Sequence, residues 1–247
     1  MRIIYLLIIL CCFSCDNERV LLLPEIENAE ITEVLDVSPA YIFYDETQPD
    51  STLLNRKNLI ITTNWLVNVD KRLTLKQAIP HIKFLQDKKR NAEMHKNEAA
   101  RNYFSCNDIS IENLGFMDFT DTSYKTYKYS IDFSYSEIIN EQKLKEKTSQ
   151  LNDSLMNGFH KGPDITQEFE IKFNSIKDIY FGSAKVEKNM IQDYCNFLIG
   201  TNKSVNLFYL KPYFDENMTF QDYISIKSEL SKLDSAKIII DSTEFIY

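Results

Sequence analysis

Two stretches of this chain, 145 positions apart, repeat one order of parts: an apolar strand, an acidic loop and a threonine-capped helix. Asp70-Lys-Arg-Leu73-Thr74-Leu75-Lys-Gln-Ala78-Ile79 aligns with Asp215-Glu-Asn-Met218-Thr219-Phe220-Gln-Asp-Tyr223-Ile224, and Leu85 continues the match at Leu230. Each copy puts an apolar residue on either side of a Thr suited to a helix start. Such a pattern fits two copies of one small unit. It also fits two unrelated helix starts, because every start favours a cap and an apolar stripe.

The rest of the chain divides around these segments. Tyr41–Tyr44 reads as a short strand and Asn58–Val69 as a β-branched one. Thr74 and Gln77 have capping-box spacing, and Leu75, Ala78, Ile79, Ile82 and Leu85 then mark one face of a helix, with Pro80 expected to kink it. Residues 88–101 read as a solvated extension of that helix, and 113–121 as a third strand. Tyr127, Tyr129, Ile131, Phe133 and Tyr135 alternate as in a half-buried strand. Asn157–Pro163 is the clearest breaker cluster. Beyond it come strands at Phe169–Phe173 and Asp178–Phe181, then a helix from Ser183 to Gly200 with Met190, Ile191, Tyr194, Cys195 and Leu198 inward. A strand at Val205–Leu210, a Thr219-capped helix, a strand at Ala236–Ile240 and a closing segment at Glu244–Tyr247 complete the chain. The expected class is α+β: two small two-layer units, the C-terminal one β-α-β-α-β with helices on one face of a sheet.

The amino terminus fixes an address rather than a chemistry. Met1-Arg2 precedes an apolar run, Ile3–Phe13, and then Ser14-Cys15. The run has eleven residues, whereas a membrane-spanning helix needs about 20. This layout resembles a bacterial lipoprotein signal, cut before Cys15 so that its thiol carries a diacylglyceryl group; a plain secretory signal cut elsewhere is the alternative. The expected organisation is a signal peptide at 1–14, a tether at 15–39, a first domain at 40–157, a linker at 158–167 and a second domain at 168–247. Localisation would be the cell envelope, anchored to a membrane by lipid.

Residues 168–247, about a third of the chain, resemble the periplasmic domain of ExbD/TolR-type biopolymer-transport proteins. The likeness rests on the β-α-β-α-β order, the strand Val205–Leu210, the loop holding Asp215 that leads into Thr219-Phe220-Gln-Asp-Tyr223-Ile224-Ser-Ile226-Lys, and the ending Ile238-Ile-Ile-Asp-Ser-Thr-Glu244-Phe-Ile-Tyr247. Members of that family carry a transmembrane helix whose aspartate relays protons, and no such helix was identified here. The resemblance therefore implies an envelope module that forms a homodimer or joins an envelope protein complex.

Composition narrows the chemistry. A net charge of −8 with no dense run of Lys and Arg disfavours nucleic acid and anionic headgroups as partners. Only five glycines occur, and no phosphate-cradling loop, nucleophile elbow or HExxH motif is present. His81, His95 and His160 suggest no shared metal, so neither metal nor cofactor is expected. The chain reads as non-catalytic. Cys106 and Cys195 could pair in an oxidising compartment or stay as buried thiols. The binding candidates are Trp65 with Tyr127, Tyr129 and Tyr135, an aromatic surface for a glycan or peptide, and His160 in the breaker loop.

Overall fold

The computed structural model describes residues 19–93, 97–126, 166–202, 204–233 and 237–247. They divide into two compact units. Unit 1 takes residues up to Thr120 together with Thr219–Gln221; unit 2 takes Asp121–Met218 and Asp222–Tyr247. The architecture is α+β, a mixed sheet with few helices in each unit.

In unit 1, β1 (Glu25–Ile26), β2 (Val37–Tyr44), β3 (Thr52–Asn55) and β4 (Asn64–Val69) precede the helix α1 (Leu75–Arg90). β5 (Asn102–Asp108) and β6 (Asn113–Asp118) follow it. β2 lies parallel to β4 and antiparallel to β3, and β4 lies parallel to β5. Burial alternates along β4, with Trp65, Val67 and Val69 inward. Leu75, Ala78, Ile79, Ile82 and Leu85 of α1 are all buried, as their spacing predicts. The N–H of Thr74 donates to Gln77 Oε1 at 2.9 Å, and the helix runs on past Pro80.

Several boundaries differ from expectation, each for a local reason. The tether assigned to 15–39 contributes β1 and the start of β2; Asn107 N donates to Pro24 O at 2.8 Å and Lys71 N to Leu22 O at 2.7 Å. The strand predicted from Asn58 begins only at Asn64. Before it, Ile60 N donates to Ser38 Oγ and Trp65 Nε1 to Ile60 O, so Ile60 bonds locally rather than in a ladder. α1 stops at Arg90 instead of extending to 101.

In unit 2, β7 (Ser123–Thr126), placed by the sequence reading in the first domain, is an edge strand of the second sheet and parallel to β13 (Thr243–Ile246). Between them come β8 (Thr166–Ser175), β9 (Asp178–Phe181), β10 (Ala184–Val186), a 3-10 turn at Lys188–Met190 and α2 (Ile191–Thr201). β11 (Leu207–Phe214), α3 (Phe220–Leu230) and β12 (Ile238–Ile240) complete the unit. The linker expected at 158–167 lies outside the described residues except for Thr166 and Gln167, which open β8. Ser183 does not cap a helix; with Gly182, at φ +59°, it forms the two-residue turn joining β9 to β10. Met190 is exposed rather than inward, and Ile191 and Cys195 are the buried residues of α2.

β8, β11 and β13 are parallel neighbours advancing one way across the sheet. The strong right-handed preference of such crossovers puts α2 and α3 on one face. Lys188 Nζ donates to Ser225 Oγ at 2.8 Å across that face. Pro212 explains why the last strand is split. Along β11, Phe208, Leu210 and Phe214 bond the edge that meets β12 and β13: Phe208 N donates to Lys237 O, and Leu210 O and Phe214 O accept from Asp241 N and Tyr247 N. Pro212 falls on that same edge with no N–H to give, and there β12 ends and β13 begins.

The two sheets share a four-strand plan. The order β3-β2-β4-β5 in unit 1 corresponds to β9-β8-β11-β13 in unit 2, with the same parallel and antiparallel senses and a helix after the central strand. The aspartates of the repeated motif make matching bonds. Asp70 N donates to Ile42 O on β2, and Asp215 N donates to Phe173 O on β8. Leu73 N and Met218 N bond back to the Asp70 and Asp215 carbonyls. The side chains accept from the backbone two residues on, at Arg72 (3.0 Å) and Asn217 (2.7 Å).

Unit 2 also buries a polar network. Glu244, 4% exposed, accepts from Tyr223 Oη at 2.6 Å and pairs with Lys227, while Tyr124 and Tyr223 share a hydroxyl bond of 3.2 Å. Burial, with the Glu244 charge nearby, pushes both tyrosine pKa values well up. Lys227→Met should cost about 3–5 kcal/mol, because it strands a buried carboxylate. Gly115→Ala should cost about 1–3 kcal/mol, since its Cβ would fall 2.5 Å from that of Ala29. Urea unfolding midpoints check both.

Candidate functional site

Of the residues singled out in the sequence, the structure repositions one decisively. Trp65 is 0% exposed, its Nε1 donates to Ile60 O at 2.7 Å, and it offers no face to a ligand. Its burial removes the tryptophan from the proposed aromatic surface. Cys15, Tyr127, Tyr129, Tyr135 and His160 lie outside the described residues, as does His95. Cys106 and Cys195 are separate, buried thiols, not a disulfide. Burial drives the first up to about 12 and the second to about 11.

The ring of Trp65 instead backs a buried lysine. Lys89 Nζ lies 5.1 Å from the ring centroid and donates to Thr63 O (3.2 Å), Arg101 O (2.8 Å) and Asn102 Oδ1 (3.1 Å). Three acceptors match the three protons of an ammonium group. The arrangement ties the end of α1 to the loop before β4 and to the start of β5, which is a structural role. His81 belongs to a similar local lock. Thr52 Oγ1 gives its single proton to Asp50 at 2.6 Å, so His81 Nε2, 2.9 Å away, is the donor to Thr52. A base poised to activate that hydroxyl would need the opposite arrangement. Among the described residues no three His, Cys, Asp or Glu side chains converge as a metal site would require.

What stands open is a basic cavity of about 660 Å³ on unit 1, lined by Arg19, Leu53, Leu54, Asn55, Arg56, Lys57 and Lys88. β3 is the edge strand of its sheet and supplies the two half-buried leucines. The loop after it, Arg56–Thr63, supplies Arg56 and Lys57. α1 supplies Lys88, one turn beyond the exposed Phe84, and the Arg56 guanidinium stacks 4.8 Å from the Phe84 ring centroid. Arg19 reaches the cavity from the amino-terminal segment and also pairs with Asp45 at 3.3 Å. Hydrogen bonds from Thr47, with help from Arg19, hold the Asp45 carboxyl below its usual pKa.

Unit 2 differs at the corresponding place. There the hairpin continues through β10 and α2 before reaching the central strand, and Tyr194 of α2 packs on Phe181 of β9 at 4.8 Å. Unit 1 passes from β3 to β4 by loop alone, which leaves the edge of β3 beside a cavity. Sequence reasoning missed this site because its cations sit at four scattered positions; the signal was the pair Arg56-Lys57 and the run Lys88-Lys89-Arg90.

The chain matches no family model, and neither curated proteins nor solved structures give a match.

Burial lowers the Lys89 ammonium from 10.5 to about 8. The unfolded chain then holds a proton that the folded chain has released between those values, so this lysine's contribution to stability rises with pH across that window. Urea midpoints of the wild type, compared with Lys89→Met, should shift in favour of the wild type as pH climbs through it.

Proposed function

We propose that this chain is a lipid-anchored cell-envelope protein whose α+β units act as a non-catalytic interaction module, accessory to an ExbD/TolR-type transport or motor complex. The observation that carries this reading is the apolar run Ile3–Phe13 ending in Ser14-Cys15. In support, paired structure starts soon after that cysteine: Arg19 meets Asp45, and Leu22 accepts from Lys71. A lipid on Cys15 would therefore hold unit 1 close to the bilayer.

The accessory role is supported by the strand-helix order of unit 2 and by the same four-strand plan in unit 1. Proton relay is not carried over. Among the described residues no helix is long and apolar enough to cross a membrane.

Mass spectrometry of the amino-terminal peptide from native membranes should find acylated Cys15. Cys15→Ala, made with a plain cleavable secretory signal in place of residues 1–14, should move the protein from the membrane to the soluble fraction without changing its unfolding midpoint. An unmodified amino terminus on soluble wild-type material would overturn the anchor. Crosslinking in native membranes that captures no envelope protein would overturn the accessory role.

A further inference from the structure

We propose that the basic cavity beside β3 faces the membrane and seats the phosphate of an anionic phospholipid headgroup. This rests on the lipid anchor at Cys15 and adds a second, electrostatic contact to it.

Chain length restricts where the cavity can be. Arg19, one of its lining residues, is four positions after Cys15. Four extended residues span at most about 14 Å. A lipid on Cys15 therefore keeps the cavity within a short distance of the headgroups, where anionic lipids attract cations and the attraction fades over a Debye length of about 8 Å.

The lining suits that occupant. Arg56, Lys57 and Lys88 gather three positive charges, beside an Arg19 that Asp45 already pairs, in a protein whose net charge is −8. Arg56, Lys57 and Lys88 are exposed on the same unit. Guanidinium groups match phosphate oxygens in pairs, and lysines add mobile point charges. Leu54, paired with the buried Ile42 on the inward face of the sheet, provides an apolar floor on which the glycerol end of a lipid can rest, while Leu53 lines the edge. The exposed Phe84, held under Arg56, extends the apolar rim. Unit 2 has α2 after its hairpin, so the cavity is a feature of the unit that contains Arg19.

The test uses residues 15–247, the chain left by the cut before Cys15, carrying Cys15→Ala so that neither a lipid nor the apolar run Ile3–Phe13 masks the weaker contact, and vesicles of phosphatidylcholine with or without phosphatidylglycerol. The protein should float with the phosphatidylglycerol vesicles and not with the neutral ones. Reversing Arg56, Lys57 and Lys88 to Glu should weaken that binding at least about tenfold. Reversing Lys177, Lys185 and Lys237 to Glu, the same change in net charge on unit 2, should leave it within about twofold. Circular dichroism and unfolding midpoints confirm that both variants fold. Equal flotation on neutral vesicles, or equal loss in the two variants, overturns the proposal. So does protection of Lys57 and Lys88 from acylation by glycerol 3-phosphate in a protein that does not float, which would make the site one for a free phosphate. Acylation of Cys15 is read separately by mass spectrometry, so failure of the anchor and failure of the cavity are distinct results.

Discussion

The turn at the end of each central strand is the constraint on which both units depend. An aspartate there gives its N–H to the neighbouring parallel strand, takes a backbone N–H on its side chain, and takes another on its carbonyl. Three bonds at one residue fix where the strand stops and the angle at which the next helix leaves. The helix then lays its apolar stripe on the sheet, where Ile79, Ile82 and Leu85 of unit 1 and Tyr223, Ile224 and Leu230 of unit 2 are buried. The side chain two residues on closes on each aspartate, but differently: Arg72 reaches the fully buried Asp70 with Nε and Nη2, whereas Asn217 donates one bond from Nδ2 to Asp215. The same backbone geometry thus tolerates an ion pair between a buried aspartate and a partly exposed arginine in one copy and a half-buried aspartate in the other.

Where local chemistry and long-range pairing agree, the sequence could be read directly. The helix faces of α1 and α3, the strand ending at Val69 and the closing strands all follow from spacing alone, because burial imposes a 3.6-residue or two-residue period on them. The misplacements come from residues whose partners are distant in sequence. Nothing near Ile60 signals that Ser38, 22 positions earlier, takes its N–H. Nothing near Tyr124 signals that β13, over a hundred positions later, will be its ladder partner. The segment 19–39 looked like a tether because it lacks periodicity, yet its carbonyls at Leu22 and Pro24 satisfy backbone donors of the folded unit.

Aromatic residues misled for a related reason. A lone tryptophan invites a ligand, but Trp65 alternates with Val67 and Val69 on the inward face of a central strand, and its indole N–H has a carbonyl close by. The ring then serves the core twice, as apolar volume and as the surface against which Lys89 is held. A buried lysine looks like a catalytic group from its lowered pKa, yet three acceptors within 3.2 Å account for it as a bolt between α1 and the strand ends. Geometry decides between those readings where a perturbed titration alone would not.

Charge is the last point at which chain-wide and local arguments part. A net −8 argues against anionic partners only if the charges are spread evenly. Folding instead brings Arg19, Arg56, Lys57 and Lys88 around one cavity, positions spread over 69 residues of sequence. Interactions with charges farther away than the Debye length of about 8 Å are largely screened, so a phosphate in that cavity responds to its lining more than to the rest of the protein. A basic cavity on a protein of net negative charge would be drawn toward an anionic surface, and a short covalent tether four residues from Arg19 would act in concert with that attraction.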